Sequence, residues 1–470
     1  MQPKVTPKIY QMCFTHHSLH HCLELLAILR SQQIESRIVG GFVRDQVYST
    51  LFPDACEKSN HNLSSKHDID IAAASTPEKV EEALKAYNIP TIAIGKAHGT
   101  ICAIYKGEKY EITSLRSDIE CDGRHATVNF GASFALDAQR RDFTINAMSY
   151  CPFHLRIYDY FGGMEDLENK RVVFVGDAMV RVEQDYLRIL RFIRFSLRFA
   201  ASFHADGARA CQSLFHKLQL ISKERVKREL DAVLAQPQLE YFIEDIEQIF
   251  SGSHHDVKLG ILQAGILDFR SLKQYCEYSK ILTIEPSAID INNYFQLATI
   301  YCALLSQYFL QKEWVQREGR HGAYVIYEIC EFNEWKFNKQ QAKQIIKLIS
   351  SYIYLQQFAH YDAQRRLTII INYIWYKYYP HHIYALCYTL ALCSAQVSSA
   401  NNGGVQDAEW LRYIRNEQTL LLSVAHIKNN LPPPKCPYNA RQLIDAGVAR
   451  KDIRKTLAQL EEEWIVNGFE

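Results

Sequence analysis

No apolar run in this sequence is long enough to cross a bilayer. The longest, such as Tyr384 to Cys393, fall well short of the ~20 residues that a spanning helix needs. The 13 cysteines are scattered, odd in number and never spaced as C-x-x-C. That argues against a disulfide framework or a zinc site and for reduced thiols in a cytosol. The N-terminus lacks a basic stretch followed by an apolar one, so no secretory signal is expected. Excess charge is lacking too: 53 Lys and Arg stand against 52 Asp and Glu, a formal net charge of +1. A globally basic nucleic-acid binder is therefore excluded, and any basic surface must come from local segregation. We find no internal repeat. What remains is an ordinary globular composition, 48% hydrophobic and 22% charged over 470 residues. It suits about three domains of a soluble cytoplasmic protein with no membrane partner.

What the chain does have is Lys66-His67-Asp68-Ile69-Asp70-Ile71-Ala72. As a strand, it alternates sides with a period of two, so Asp68 and Asp70 share one face while Ile69 and Ile71 enter a core. Two hard carboxylates one strand repeat apart suit a pair of Mg²⁺ ions that clamp the attacking and leaving oxygens of a phosphoryl displacement. The plain alternative is two acids on a solvated strand edge. A calcium loop is not indicated, because the third acid and the glycine of D-x-D-x-D-G are missing. Upstream, Arg37-Ile38-Val39 predicts a strand, Gly40-Gly41 a turn, and Phe42-Val43-Arg44-Asp45 the opening of a helix. A glycine pair there brings backbone N–H groups close to a ligand, the helix start favours anions, and Arg44 adds a fork suited to phosphate. The stretch fits neither G-x-G-x-x-G nor G-x-x-x-x-G-K-[ST]; its position beside the acids suggests a triphosphate cradle. Taken alone it is equally a glycine turn.

Further along, Leu19 to Leu29 predicts an amphipathic helix; His16, His17, His20 and His21 fall at i,i+4, a spacing that can bind a metal, but with no acidic partner in the pattern they read as an exposed helix face. Pro53 to Ser65 reads as a polar surface insertion. Thr76-Pro77-Glu78 carries an N-cap with proline at N1, and strands are expected at Thr91–Ile94, Gly99–Tyr105 and Tyr110–Ser114. Glu111 on the last either joins the two aspartates or lies half-exposed on its strand. Leu115 to His125, polar and containing Asp122-Gly123, reads as a mobile loop; Arg116 at its start is counted among the nucleotide-binding arginines. Leu136 to Met148 is expected to run into a helix. There Arg140 and Arg141 would meet a triphosphate, and Asp142 and Asn146 ribose hydroxyls; the alternative is a salt-bridged helix start.

Glu183 to Phe199 predicts a single helix on which Arg188, Arg191, Arg194 and Arg198 fall within roughly 120° of arc. Asp185 and Arg188, at i,i+3, place an acceptor beside a forked donor and can mimic a base edge. As a surface ion pair they would contribute only ~0.3–0.5 kcal/mol. Lys170 to Arg228 holds 13 Lys and Arg against 5 Asp and Glu, a local stripe suited to a phosphate backbone. Glu224 to Leu230 continues as helix. From about residue 231 to 400 the pattern is helical and rich in Tyr, Phe and Leu. Asn401 to Gly404 and Leu431 to Pro434 read as breaks, and Arg441 to Phe469 as a last helical unit. His254-His255-Asp256 hints at a phosphohydrolase metal site without identifiable partners.

Taken together, these motifs resemble the class II tRNA nucleotidyltransferase and bacterial poly(A) polymerase family, a branch of the polymerase β-like nucleotidyltransferases. The resemblance covers roughly the first 235 residues, and Cys436 to Trp464 is weakly similar to bacterial members. Gly40-Gly41-Phe42-Val43-Arg44-Asp45 with Asp68-Ile69-Asp70 looks like the family's triphosphate and metal motif. Arg140-Arg141-Asp142-Phe143-Thr144-Ile145-Asn146-Ala147 looks like its ribose-recognising motif. Asp122-Gly123-Arg124 lies where the family has a flexible loop, Asp185-Tyr186-Leu187-Arg188 matches the base-reading pair, and Glu224-Arg225-Val226 with Glu229-Leu230 the last neck motif. Gly95 to Thr100 resembles the CCA-adding branch. Three features depart from the pattern: a longer segment between Asp45 and Asp68, Gln184 in place of an acid, and His125 in the loop.

The resemblance implies an α+β fold, with a polymerase β-like nucleotidyltransferase head on a mixed β-sheet (1–150). An all-α neck (151–235), body (236–400) and tail (401–470) would follow. It implies addition of CCA to tRNA from CTP and ATP, with two Mg²⁺ held by Asp68 and Asp70 and Glu111 as a third acid. Gly40, Gly41, Arg44, Arg116, Arg140, Arg141, Asp142, Asn146, Asp185, Arg188, Arg191 and Arg194 would bind the nucleotide. DNA is not an expected partner. A poly(A) polymerase, an enzyme adding only CC or A, and a non-enzymatic RNA-binding protein are the rival readings.

Overall fold

Tyr150, Ile38, Ile71, Ile112 and Ile101 are successive register neighbours across five strands, and none is more than 2% exposed. This row is the floor on which the candidate site is built. The computed structural model describes residues 5–14, 19–53, 69–95, 99–122, 125–130, 133–236, 238–251, 269–281, 339–379, 385–391, 393, 409–410, 412–414, 416 and 432–469. The chain divides into two compact units, Met1–Glu229 with Gln248–His254, and Leu230–Glu247 with His255–Glu470.

The first unit carries strands β1 (Lys8–Gln11), β2 (Ser36–Val39), β3 (Asp70–Ala73), β4 (Thr91–Gly95), β5 (Thr100–Tyr105), β6 (Glu108–Ser114), β7 (Arg116–Asp122), β8 (His125–Phe130), β9 (Ser149–Cys151) and β10 (Arg156–Asp159). Eight of them form one sheet in the order β1-β10-β9-β2-β3-β6-β5-β4, and β7 pairs only with β8. β3 and β6 run parallel while the other named pairs are antiparallel, so the sheet is mixed as expected. The helices are α1 (Leu19–Ser31), α2 (Gly41–Leu51), α3 (Pro77–Lys85), α4 (Phe134–Gln139), α5 (Gly163–Glu168), α6 (Ala178–Gln184), α7 (Arg188–Phe199), α8 (Ala205–Leu214), α9 (Lys223–Leu234), α10 (Ile243–Ser251), α11 (Phe269–Ile281), α12 (Lys339–Gln356), α13 (Ala363–Tyr378), α14 (Ala440–Asp445) and α15 (Ile453–Val466). Beyond residue 160 the described elements are helical, apart from the isolated bridge at Phe174.

Local chemistry accounts for the boundaries. α1 buries Leu19, Cys22, Leu25, Leu26 and Leu29, one face of a helix. α3 starts where Thr76 accepts from the Lys79 N–H and Pro77 needs no donor of its own. In the second unit, Tyr354 of α12 stacks on Tyr373 of α13 with ring centroids 4.9 Å apart. Trp464 of α15 meets the Tyr376 ring edge-on, and Tyr376 donates to Glu461 at 2.9 Å. Asn439 and Gln442 close a capping box at the start of α14.

Three expectations are corrected. Leu115 to His125 is not read as a loop in the structure: Arg116 to Asp122 forms a ladder with His125 to Phe130 that closes on Asp122 opposite His125. The Asp-Gly dipeptide is a hairpin signal, and the segment alternates as a strand does. The helix expected through Met148 stops at Gln139. Asp142 takes its neighbour's N–H at Phe143, Phe143 is extended and bridges Phe174, and only a single 3-10 turn follows at Thr144–Asn146. The helix expected from Glu183 to Phe199 is broken between α6 and α7. Asp185 is extended there, and its carboxylate accepts from the Leu187 N–H at 3.1 Å, a helix-starting role to which aspartate is suited. β1, β9 and β10 were not expected at all. The Pro53–Ser65 insertion beyond Pro53, His254-His255-Asp256 and Asn401–Gly404 lie outside the described residues.

Candidate active site

Val39, Asp70 and Glu111 are Cα partners across β2, β3 and β6. The register therefore sets the turn that follows β2 beside the first residue of β3. Gly40 makes that turn at φ 74, ψ −135, a backbone conformation that side-chain-bearing residues rarely adopt. A Cβ there would meet Asp70 Oδ2 and Arg141 Nη1, each at 3.3 Å. α2 starts at the next residue, with Arg44 N donating to the Gly40 carbonyl. Two faces of the site thus meet at one glycine.

A cavity of about 440 Å³ opens here, lined by Gly40, Gly41, Arg44, Asp70, Arg140, Arg141, Asp142, Asn146, Asp185, Arg188, Arg191 and Phe195. Five arginines face three aspartates, a balance suited to a polyanion. The structure thus brings together residues spread over more than 150 positions of sequence. Asp68 and Lys96 to His98 lie outside the described residues, as do Gly123 and Arg124. Glu111 is exposed on β6 as the register partner of Asp70, and it does not line the cavity. Arg116 starts β7; its side chain lies outside the described residues. Arg194 points to Glu229, 2.8 Å away, and is not among the lining residues.

Four of the five cavity arginines are held by buried acids. Asp137 of α4 accepts from Arg140 Nε at 2.9 Å on one oxygen and from Arg141 Nη2 at 3.0 Å on the other. Burial pushes its carboxyl up, but Arg141 and Arg140 outweigh burial and hold it below the usual range. Arg44 is 6% exposed; its Nε donates to Asp45 at 2.8 Å and its Nη1 to Asn146 Oδ1 at 2.7 Å. Its guanidinium lies over the Phe195 and Phe199 rings, 4.8 Å from each centroid. Asn146 in turn donates to Asp142 Oδ1 at 2.9 Å, and Arg191 Nε donates to Asp142 Oδ2 at 2.8 Å. Burial raises the Asp142 carboxyl too, and Arg191, Asn146 and the Phe143 N–H together bring it below the usual value.

Arg188 donates to the Arg181 carbonyl at 2.9 Å, to Gln184 Oε1 at 3.2 Å and to the Arg140 carbonyl at 3.3 Å. Arg198 reaches Asp45 Oδ2 at 3.2 Å. Hence the arginine stripe of α7 is in large part a seam of internal pairs with Asp142, Glu229 and Asp45, and not an open phosphate-binding face.

Sequence reasoning missed the holders Asp45, Asp137 and Glu229, the ring Phe195, and Gln184 as a shared acceptor for Arg181 and Arg188. Asp137 had a signal, since it stands three and four residues before the two arginines it binds. Glu229 lies 35 residues from Arg194 and had no local signal; Asp45 neighbours Arg44, but Arg198, its other partner, lies 153 residues away. Among the described residues no group of three or more His, Cys, Asp or Glu side chains is arranged to hold a metal.

Residues 36–173 match the poly A polymerase head domain. Over 216 residues the chain is 39% identical to the mitochondrial CCA tRNA nucleotidyltransferase 1 of Danio rerio, covering 45% of this chain and 46% of that protein. Over 222 residues it is 32% identical to the CCA-adding enzyme of Staphylococcus epidermidis, covering 47% and 51%. The chain thus spans about half the length of the curated relatives it matches. Among solved structures, the fold is similar to the Thermotoga maritima CCA-adding enzyme complexed with tRNA (TM-score 0.59, 16% identity, 98% of this chain and 95% of that one). It is also similar to the Bacillus stearothermophilus CCA-adding enzyme in complex with CTP (TM-score 0.53, 20% identity, 97% and 94%).

Proposed function

We infer that this chain, whose residues 36–173 carry the poly A polymerase head domain, is a class II tRNA nucleotidyltransferase that adds CMP, CMP and AMP to the 3′ end of tRNA from CTP and ATP. The observation that carries this reading is the arginine-rich cavity, which joins the glycine turn and Asp70 to Asp185 and Arg188. The 3′ hydroxyl oxygen bonds to the α-phosphorus as the bond from that phosphorus to the bridging oxygen of the β-phosphate breaks. The hydroxyl proton passes to solvent and pyrophosphate leaves.

Asp70, with Asp68 and with Glu111 as a third acid, offers hard carboxylate oxygens, a donor set that fits two Mg²⁺. When bound, the metal supplies a lowered pKa for the attacking hydroxyl and neutralisation of charge on the departing oxygens. Gly40 and Gly41 let the backbone approach the phosphates. Arg44, Arg140 and Arg141 complement their charge from orientations set before the ligand arrives, the arrangement that stabilises a developing charge most. Asp142 and Asn146 stand at the ribose. Arg116 and Arg191 complete the nucleotide contacts.

Asp185 accepts from the exocyclic amino group that cytosine and adenine share, and Arg188 donates to the neighbouring ring nitrogen. One protein pair can therefore accept both bases and reject G and U. The helical unit that follows holds tRNA by shape and phosphates, a mode independent of sequence. Free thiols at nine of the cysteines among the described residues suit a reducing compartment such as the cytoplasm.

The test is incubation with Mg²⁺ and a tRNA lacking CCA, supplied with CTP, ATP or both, with products resolved at single-nucleotide length. Three additions that then stop are expected. The name of the head domain favours one second reading, a poly(A) polymerase, and a long ladder with ATP alone would establish it. Addition of CC only or A only would mark a split-function enzyme, and no product under any condition an RNA-binding protein.

A further inference from the structure

The helix break that carries Asp185 leaves its carboxylate outside any helix, with backbone angles of φ −155 and ψ 105. Helical packing therefore does not set its direction; its two partners do. Oδ1 accepts from the Leu187 N–H at 3.1 Å, and Oδ2 meets Arg225 Nη2 at 3.2 Å. Arg225 lies in the first turn of α9, one turn before Glu229, which takes Arg194 at 2.8 Å and Arg191 at 3.7 Å. α9 thus meets the Asp185–α7 segment with a cation against its acid and an acid against its cations. The two contacts stand four residues apart, on one helix face.

Reading a base edge requires an acceptor held in the plane of the base, because a misaligned hydrogen bond discriminates poorly. An acid tethered only at Oδ1 can still swing; a second tether at Oδ2 removes that freedom. We propose that Arg225 is a positioning residue that determines base choice, by fixing the Asp185 carboxylate in the orientation that accepts from the amino group of C or A. This rests on the reading of Asp185 as the base reader. Arg225 and Asp185 are 44% and 30% exposed, so the pair adds little to fold stability, and a substitution at Arg225 reports on orientation more than on folding.

The experiment uses the full chain with Mg²⁺ and tRNAs lacking either CCA or the terminal A. Single-turnover kcat/KM is measured for CTP, ATP, UTP and GTP in the wild type, R225Q and R225K. R225Q is expected to raise the use of UTP and GTP relative to CTP and ATP roughly ten-fold, with an unchanged Tm. R225K, which keeps the charge but loses the fork, should lie between and supplies the same ratio if R225Q does not fold. A selective wild type with an equally selective R225Q, whatever its overall rate, would overturn this proposal alone. A wild type that transfers nucleotides without preferring CTP and ATP, or transfers none, would overturn the reading of Asp185 and this proposal with it.

Discussion

Asp137 holds two of the five cavity arginines on one buried carboxylate, so a group that touches no ligand sets the charge geometry of the site. Asp137→Asn leaves one acceptor oxygen where two are used. We expect it to raise the KM for the triphosphate at least several-fold and to cost on the order of 2–4 kcal/mol of stability, read from nucleotide titrations and thermal unfolding. Asp137 and Asp142 also set an acid limit. Each has a folded pKa below the ordinary value of 3.8, held there by arginines against the effect of burial. The stability they contribute is therefore complete above that value and lost as pH falls through the folded one. Tm followed downward from about pH 5 should drop steeply below about pH 4, and less steeply in Asp137→Asn. If the two slopes match, the arginine pairs do not govern acid unfolding. Asp70 belongs to a different class, since its Oδ2 lies 3.3 Å from where a Cβ on Gly40 would stand, at the glycine turn itself. Asp70→Ala should abolish incorporation at every step while tRNA binding in a filter assay persists; retained incorporation would remove it from the metal-binding role. At this scale the glycines and polar residues of the cavity were legible, though not the Phe195 ring, because chemistry selects residue types at short spacing. Glu229, and Asp45 as the partner of Arg198, were not, because those arginines are brought to them only by folding.

Among the elements, the turn at Thr144–Asn146 matters most, because it presents Asn146 to both Arg44 and Asp142. α5 supports it closely. Thr144 donates to Asp166 at 2.7 Å, and a Cβ on Gly163 would fall 2.3 Å from the Thr144 carbonyl oxygen, a backbone atom that cannot step aside alone. Gly163→Ala should therefore lower Tm by several degrees and reduce incorporation, since overpacking costs ~1–3 kcal/mol and here displaces a site residue. Gly162→Ala is the control: its φ of +81 is unfavourable for alanine, but nothing lies within 4 Å of the added carbon, so only backbone strain of about 1–2 kcal/mol is expected. Equal loss of incorporation in both variants would mean that strain, not the displaced turn, is responsible. The same region explains why element boundaries were less legible than motifs. Periodicity carries a helix through Arg140 and through Asp185. The structure stops it at both, because an aspartate side chain captures a nearby backbone N–H and, at Phe143, because the backbone finds a partner in Phe174. The hairpin of β7 and β8 was missed for the opposite reason: a polar composition outweighed an alternation and a turn signal that were both present.

Across the whole molecule, charge is nearly balanced, and the local surplus between Lys170 and Arg228 first reads as a surface for RNA phosphates. Folding consumes part of that surplus. Arg191, Arg194 and Arg198 are paired with Asp142, Glu229 and Asp45, and burial pushes the Arg194 and Arg198 guanidinium pKa values down. A cation already neutralised inside the protein releases no counterion from RNA, whereas each arginine that meets a phosphate contributes about −0.7 to −0.9 to the slope of log K against log salt. Arg194→Gln thus separates the two roles. Removing it leaves Glu229 with a weaker partner, Arg191 at 3.7 Å, and should cost on the order of 2 kcal/mol, which for a unit of this size lowers Tm by about 4–8 °C. The salt slope of tRNA binding, measured by filter binding between about 50 and 200 mM salt, should stay where it is in the wild type. A slope that becomes shallower by about one unit with little change in Tm would mean that Arg194 turns outward to meet RNA, and would return it to the nucleic-acid-binding set that its helical spacing first suggested.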